Sequence, residues 1–339
     1  MSKLYCEVIL LKAVILAGGE GQRLRPLTKT RPKPLMRIGD RAILDIMLEN
    51  LSLHGIKEAA ITLGYRGEDI KKEIGNERYG IKIYYSEENE PLGTAGSVKN
   101  CEHFIESDTL ILSGDALSNV NFTKLFETHK KKNADITLTL TKMKNASLYG
   151  VVEVDDDGKI TKFLEKPTMD KDAVALVNCG IYIIKKGVVD KIPPHTFFDF
   201  AKDVFVNAQN LYAYVTDKFW CDIGSFSEYL RSNLLTLSDS FFFHPIIDEP
   251  KKNATVTRSV IGKNSRILKG ASIKESVVGR HTRIGEGSRL DGCILGDGVT
   301  VGEKVTIGRD TVVGDFSVLG DGAVLTDGQK LDPYTVFMG

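Results

Sequence analysis

Three glycines in four positions, Gly18, Gly19 and Gly21, follow an apolar run, and five cations with no acid among them come next: Arg23, Arg25, Lys29, Arg31 and Lys33. Backbone N–H groups converge on a phosphate only where side chains are absent. A loop leaving the carboxyl end of a sheet strand is also where open α/β sheets bind ligands. Bare backbone beside concentrated positive charge is what a polyphosphate requires. For the glycines alone, a tight strand–helix turn with a solvated basic face is an equally good reading. Two named phosphate motifs do not apply. Leu24 stands where GxGxxG needs its third glycine, and Gly21-Gln22-Arg23 is not the GK[ST] of a P-loop.

The elements that must carry such a loop are legible around it. Strand-like apolar runs fall at 12–18, 58–64, 81–86, 109–115 and 135–141, and helical patterns fill 42–55, 66–75 and 121–132 between them. This alternation predicts an α/β fold, a Rossmann-like, mostly parallel sheet covered on both faces. From residue 150 the pattern shifts: YGVVEVD, DDG and KITKFLEK read as a hairpin, and LVNCGIYII (176–184) as a further buried strand.

The last third obeys another period. Ile261-Gly262, Val278-Gly279, Leu295-Gly296 and Val313-Gly314 recur at spacings of 17, 17 and 18, and within each period apolar residues return about every six positions. Three short strands per turn is the pattern of a parallel β-helix, here with room for about four coils. A β-sandwich is the alternative. The resulting division is 1–240, a linker at 241–254 in which Phe241, Phe242 and Phe243 are candidates for interdomain packing, and 255–339.

Composition narrows the class. Of 339 residues 42% are hydrophobic, and Lys plus Arg equals Asp plus Glu at 45 each, so no global nucleic-acid-binding surface is indicated and the basic loop is local. No apolar run reaches the length of a membrane span. Five scattered cysteines without CxxC spacing argue for a reducing, cytoplasmic setting. The first eleven residues read as a short extra strand or an extension, not as a signal peptide.

The string GGEGQRL–PLT–PKP over Gly18–Pro34 resembles the sugar-phosphate nucleotidyltransferase family, whose pattern is GGxGxRLxPLT followed by PKP. Gln22 departs from the family's usual threonine. The resemblance continues in order: EPLGTAG at 90–96 as the base-recognition loop, SGD at 113–115 as the strand ending in a metal-binding aspartate, YGV at 149–151, EKP at 165–167 and NCGIY at 178–182 as the sugar-phosphate pocket, and FWCDIG at 219–224 as the second aspartate's segment. Cys179 replaces an alanine and is expected to pack without consequence. Within the family, the PLGTAG and FWxDIG wording and a C-terminal hexapeptide domain are most similar to the mannose-1-phosphate guanylyltransferase pattern.

The resemblance implies that an NTP and a sugar 1-phosphate give an NDP-sugar and pyrophosphate, with GTP and mannose 1-phosphate as substrates, Mg²⁺ as cofactor and a left-handed β-helix. The nucleophile is already ionised, so positioning and charge stabilisation suffice. Arg23 is assigned to the β- and γ-phosphates and Lys33 to the reacting phosphates. Asp115 and Asp222 are assigned to the metal. Gly93 and Thr94 fall to the base pocket, with Thr94 as a helix cap the competing reading. Gly150, Glu165, Lys166 and Asn178 fall to the sugar phosphate; a strand bend, an exposed ion pair and a satisfied core asparagine compete. Arg25, Lys29 and Arg31 read as solvated cations.

Three other functions stay open. One is glucose 1-phosphate with UTP, dTTP or ATP. Another is an added acyltransferase activity with His281 as base. The third is a non-catalytic sugar-nucleotide-binding subunit. Open coil ends predict a homo-oligomer.

Overall fold

The structure, a computed structural model, describes residues 11–170, 172–237 and 254–338. The lead-in over 1–10 and nearly all of the connection expected over 241–254, its three phenylalanines included, lie outside these residues. By contact the chain forms two compact units. One holds the residues through Gly19 with Leu44–Asp222, and the other holds Glu20–Ile43 with the described residues of Ile223–Gly339.

In the first unit the strand Lys12–Leu16 lies at the centre of a sheet. It pairs in parallel with Glu58–Leu63 on one side and Thr109–Ser113 on the other, and Ile81–Glu87 continues in parallel beyond Glu58–Leu63. Ala13, Val14, Ile15, Leu110, Ile111 and Leu112 are fully buried, which is why these strands read as unbroken apolar runs. Burial of each larger side chain stabilises the unit by about 2 kcal/mol. Val174–Ile184 adds antiparallel to Thr109–Ser113, and the expected hairpin, Gly150–Val154 with Ile160–Glu165, extends that edge. Asp155 closes its turn, accepting from the N–H groups of Asp157 and Lys159 at 3.0 and 2.8 Å. The 135–141 run is observed as Ile136–Lys144, between Val174–Ile184 and Leu211–Val215.

Helices Ile43–Leu53, Gly67–Ile74 and Phe122–Lys132 fall where the apolar spacing predicts. Asn121 starts the last by accepting from the Lys124 N–H at 2.9 Å, and Lys130 to Lys132 place cations in its final turn.

The sheet's chain order defines its ligand site. The chain moves outward from Lys12–Leu16 through Glu58–Leu63 to Ile81–Glu87, then returns to the other side at Thr109–Ser113. The topological switch therefore lies between the carboxyl ends of Lys12–Leu16 and Thr109–Ser113, the position where such sheets bind ligands.

In the second unit the hexapeptide region forms a left-handed parallel β-helix with three all-parallel sheets of five strands each among the described residues. Ile261, Val278, Leu295, Val313 and Leu331 stack in register along one face. Ile267, Ile284, Val301, Leu319 and Phe337 stack along another. Five rungs correct the expected four. The last rung lacks the apolar-glycine mark because Asp332 follows Leu331, and its Val336 is 65% exposed. At the corners, hydroxyls serve the next rung: Ser259 accepts from Ser276 N–H, and Ser276 from Cys293 N–H, at 3.1 and 3.2 Å. Among the described residues no helix is long and apolar enough to cross a membrane.

Candidate active site

In the α/β unit, Gly18 and Gly19 leave the carboxyl end of Lys12–Leu16. Gly18 passes close to a neighbouring loop, its carbonyl accepting from Tyr65 N–H at 3.1 Å, while a Cβ on Gly19 would meet nothing within 4 Å. Across the switch, Gly114 N–H donates to Leu16 O at 2.8 Å, so Asp115 emerges beside the glycine backbone.

Asp222 reaches the same place from 107 residues further on. Its strand Trp220–Asp222 pairs antiparallel with Ala116–Ser118, and Asp222 sits opposite Ala116, one residue from Asp115. Ser113 Oγ donates to Asp115 Oδ1 at 2.6 Å. The Trp220 indole donates to Cys179 O at 2.8 Å, tying the second aspartate's strand to the bulge at 178–182. The residue that departs from the family pattern thus contributes its backbone carbonyl, which alanine would also supply. Its side chain is buried, and burial pushes the thiol far up, leaving it unreactive. Asn178 Oδ1 accepts from Gly180 N–H at 3.0 Å and holds this bulge. Gly180 passes so near the first aspartate's strand that a Cβ would stand 3.1 Å from that of Ser113. Trp220 is a site-shaping residue that the sequence reading passed over, though a lone tryptophan two positions before an assigned aspartate is a visible signal.

Gly150 lies opposite Glu165 in the hairpin. A Cβ at Gly150 would come within 2.7 Å of the Phe163 ring and 3.2 Å of Glu165 Oε2, so the glycine permits their approach. Glu165 pairs with Lys166 at 2.9 Å, and Tyr149 meets Trp220 edge-on at 5.5 Å. The strand and the Asp222 segment are therefore continuous in packing.

The EPLGTAG loop runs into the helix Gly93–Asn100. Gly93 has φ +69°, and any Cβ would lie 2.6 Å from Phe198 O, which accepts from the Ala95 and Gly96 N–H groups. The capping alternative for Thr94 is corrected. Leu92 occupies the cap position, and Thr94 Oγ1 instead donates to Asp199 Oδ2 and accepts from Phe200 N–H, both at 2.9 Å.

Gly21, Arg23 and Lys33 belong to the other unit. Gly21 turns at φ +64°, its carbonyl accepting from Thr28 Oγ1 at 2.9 Å, and a Cβ there would lie 3.1 Å from that of Lys33. Lys33 is buried at 6% exposure, whereas Arg23 is exposed. The solvated reading of the neighbouring cations fails at Arg31. Its Nη2 donates to Asp315 Oδ2 at 2.7 Å and Asp297 Oδ2 at 2.9 Å. Burial works against this cation, but the carboxylates of Asp315 and Asp297 outweigh it and hold Arg31 charged. Asp297 is likewise kept below the usual carboxylate range, against its own burial, by Arg31. Lys29 pairs with Asp332 at 2.6 Å and Arg25 with Glu20 at 2.9 Å, both half-exposed. The missed signal was the aspartate that follows glycine at 297 and 315 in successive coils. His281 stands exposed at a coil corner with φ +56°.

As a donor set for a cation, Asp115 and Asp222 fit magnesium, which is commonly held by one or two carboxylates with phosphate oxygens and water completing the shell. Among the described residues no group of three or more His, Cys, Asp or Glu forms a self-sufficient metal cage.

Comparison with known proteins identifies the family. The nucleotidyl transferase family matches residues 12–239, and a GlmU-like, C-terminal hexapeptide family matches 251–325. The chain belongs to the nucleotidyl transferase family, with a hexapeptide segment appended. It is 36% identical over 237 residues to a mannose-1-phosphate guanyltransferase of Yarrowia lipolytica, covering 67% of this chain and 64% of that protein. It is 34% identical over 242 residues to a UTP–glucose-1-phosphate uridylyltransferase of Synechocystis, covering 66% and 62%. The matched region is thus just under two thirds of the length of these relatives. Among solved structures, HddC from Yersinia pseudotuberculosis matches with TM-score 0.60 and 27% identity, over 66% of this chain and 98% of that one.

Proposed function

We propose that the protein is a sugar-1-phosphate nucleotidyltransferase that joins GTP to mannose 1-phosphate, giving GDP-mannose and pyrophosphate. The observation that carries the class is the placement of Asp222 opposite Ala116, beside Asp115, at the switch point where Gly18 and Gly19 leave their strand. No turn or repeat requires that pairing, and two carboxylates meet a polyphosphate favourably only through a cation that they would hold. The choice of mannose and guanine rests on relatives such as the Yarrowia protein.

In this reading a phosphate oxygen of the sugar attacks the α-phosphorus in line. The bond to the β-phosphate breaks, and pyrophosphate leaves with the electron pair. Asp115 and Asp222 would hold Mg²⁺, which when bound would supply charge neutralisation and polarise the phosphoryl group under attack. The glycine N–H groups and Arg23 receive the triphosphate, and Lys33 meets the reacting phosphates. Gly93 and Thr94 border the base. Gly150 and Asn178 shape the sugar side, Glu165 accepts from sugar hydroxyls, and Lys166 offsets the sugar phosphate. No base is needed. The hexapeptide coil supports a homo-oligomer, and the four described cysteines, all free thiols, fit a cytoplasmic enzyme.

The Synechocystis relative supports a second substrate pair, UTP with glucose 1-phosphate. Pyrophosphate release across four NTPs and a panel of sugar 1-phosphates decides between them. A kcat/KM for GTP with mannose 1-phosphate at least tenfold above every other pair is expected. Preference for UTP with glucose 1-phosphate would replace the substrate assignment, and no release with any pair would remove the activity.

A further inference from the structure

Asp315 is nearly enclosed, its side chain only 3% exposed, and both of its oxygens accept hydrogen bonds. Oδ1 accepts from the Asp297 N–H at 2.9 Å, and Oδ2 accepts from both Arg31 and Thr30 Oγ1 at 2.7 Å. Asp297 repeats the scheme one rung earlier, with Oδ1 on the Arg280 N–H at 2.8 Å and Oδ2 on Arg31 at 2.9 Å. An enclosed carboxylate is costly unless paired, so these two coils and Arg31 require one another.

Arg31 is tied to Lys33 by a short, stiff arm. Each of the two residues is followed by a proline, Pro32 and Pro34. A proline fixes its own φ and confines the residue before it. Lys33 then opens the turn Lys33–Leu35 and lies against Gly21. The rest of the segment is fastened to the same unit. Gly39 N–H donates to Asn233 Oδ1 at 2.9 Å, and Asp40 pairs with Lys263 of the coil at 2.9 Å.

We propose that Arg31 is a positioning residue for nucleotidyl transfer: held by Asp297 and Asp315 of the hexapeptide coil, it sets the place of Lys33 and of the Gly21 turn, so that the coil takes part in turnover. This rests on the reading that Lys33 meets the reacting phosphates. A displaced Lys33 costs transition-state stabilisation while leaving most ground-state contacts intact, so kcat moves and KM does not.

The test uses the full chain, with GTP and mannose 1-phosphate varied separately and thermal unfolding recorded for each variant. Arg31→Gln and Asp315→Asn are each expected to lower kcat roughly 30-fold with both KM values within about threefold, at a temperature where both remain folded. The double variant should be no worse than the poorer single within about threefold, because both act through one clamp. Arg31→Lys, which keeps the charge, should recover at least about threefold over Arg31→Gln. If Arg31→Gln does not fold, Asp297→Asn, which removes only one of the two carboxylates, carries the test with an expected loss of about fivefold in kcat. A folded Arg31→Gln or Asp297→Asn with kcat within about twofold of the unmodified chain overturns the positioning role. So does a double variant whose loss equals the product of the singles. Absence of pyrophosphate release from the unmodified chain with any substrate pair overturns the functional reading and this inference together.

Discussion

Aspartates do opposite work in the two units. In the coil they are repeated parts. Asp297, Asp315, Asp321 and Asp327 each accept the N–H of a residue 17 or 18 positions earlier, at 2.7–2.9 Å, so each carboxylate closes a corner of the preceding rung. In the α/β unit, Asp115 and Asp222 belong to no period and meet only because two strands from distant segments pair. A carboxylate that recurs with the rung is explained by architecture, and one that a long-range pairing delivers to a strand end is not. The lesson has one exception built in: Asp297 and Asp315 turn their second oxygens outward to Arg31, so repeated parts have been drawn into holding a unique one.

Substitutions can break or sharpen this contrast. The largest effect belongs to the unique pair. Asp115→Asn and Asp222→Asn should each lower kcat by at least ~10²-fold, about 2.7 kcal/mol, with weakened Mg²⁺ activation. The double variant should fall well short of the product. Wild-type kcat at limiting Mg²⁺ in either single would remove that residue.

Acid should next divide the units. His129 is 1% exposed, with Nδ1 on Thr137 Oγ1 at 2.9 Å. Burial pushes it down to about 4. Asp108 and Asp135 pull the other way, and Lys130 and Lys185 reinforce the fall. An unfolded chain protonates this histidine near 6.5, so its stabilisation is complete above that pH and is lost as pH falls from about 6.5 to 4. Denaturant unfolding should show a loss on the order of 2 kcal/mol over that window, and His129→Gln should flatten it. The coil's Asp297, held below its usual range, responds only at still lower pH. An unchanged slope in the variant would assign the acid loss elsewhere.

On the sugar side, Glu165→Ala should raise the KM for sugar 1-phosphate about tenfold, roughly 1.4 kcal/mol, with less effect on NTP. Equal loss for both substrates would break its assignment. The smallest effect belongs to a repeated part without a second role. Asp327→Ala should cost about 0.5–1 kcal/mol of stability with kcat unchanged, seen as a small fall in Tm. A clear fall in its kcat would end the distinction between the two kinds of carboxylate.

Local chemistry made much of this legible. Unbroken apolar runs gave the central strands, the helical pattern over 121–132 gave its helix, and the six-residue return of Ile, Val and Leu gave the coil. The Gly18–Pro34 wording pointed to phosphate chemistry and to Lys33 directly. What escaped depended on partners far along the chain. Arg31 reads as one more solvated cation until Asp297 and Asp315 are placed beside it, and the cap alternative for Thr94 stays open until the 198–200 segment arrives to take its hydroxyl. The fifth rung escaped for a different reason: Asp332 follows Leu331, so this rung lacks the apolar-glycine mark that the four before it share.

The compact units are not consecutive pieces of chain, since Glu20–Ile43 clusters with the coil although the strand before it and most of the helix after it cluster with the sheet. Exchange of C-terminal regions between relatives therefore separates co-adapted residues even when the junction falls in the connection at 241–254. A transplanted coil must bring carboxylates at the positions of Asp297 and Asp315 or travel with its own copy of 20–43. Among natural relatives, the residue at position 31 and the corner residues of the third and fourth coils should change together or not at all.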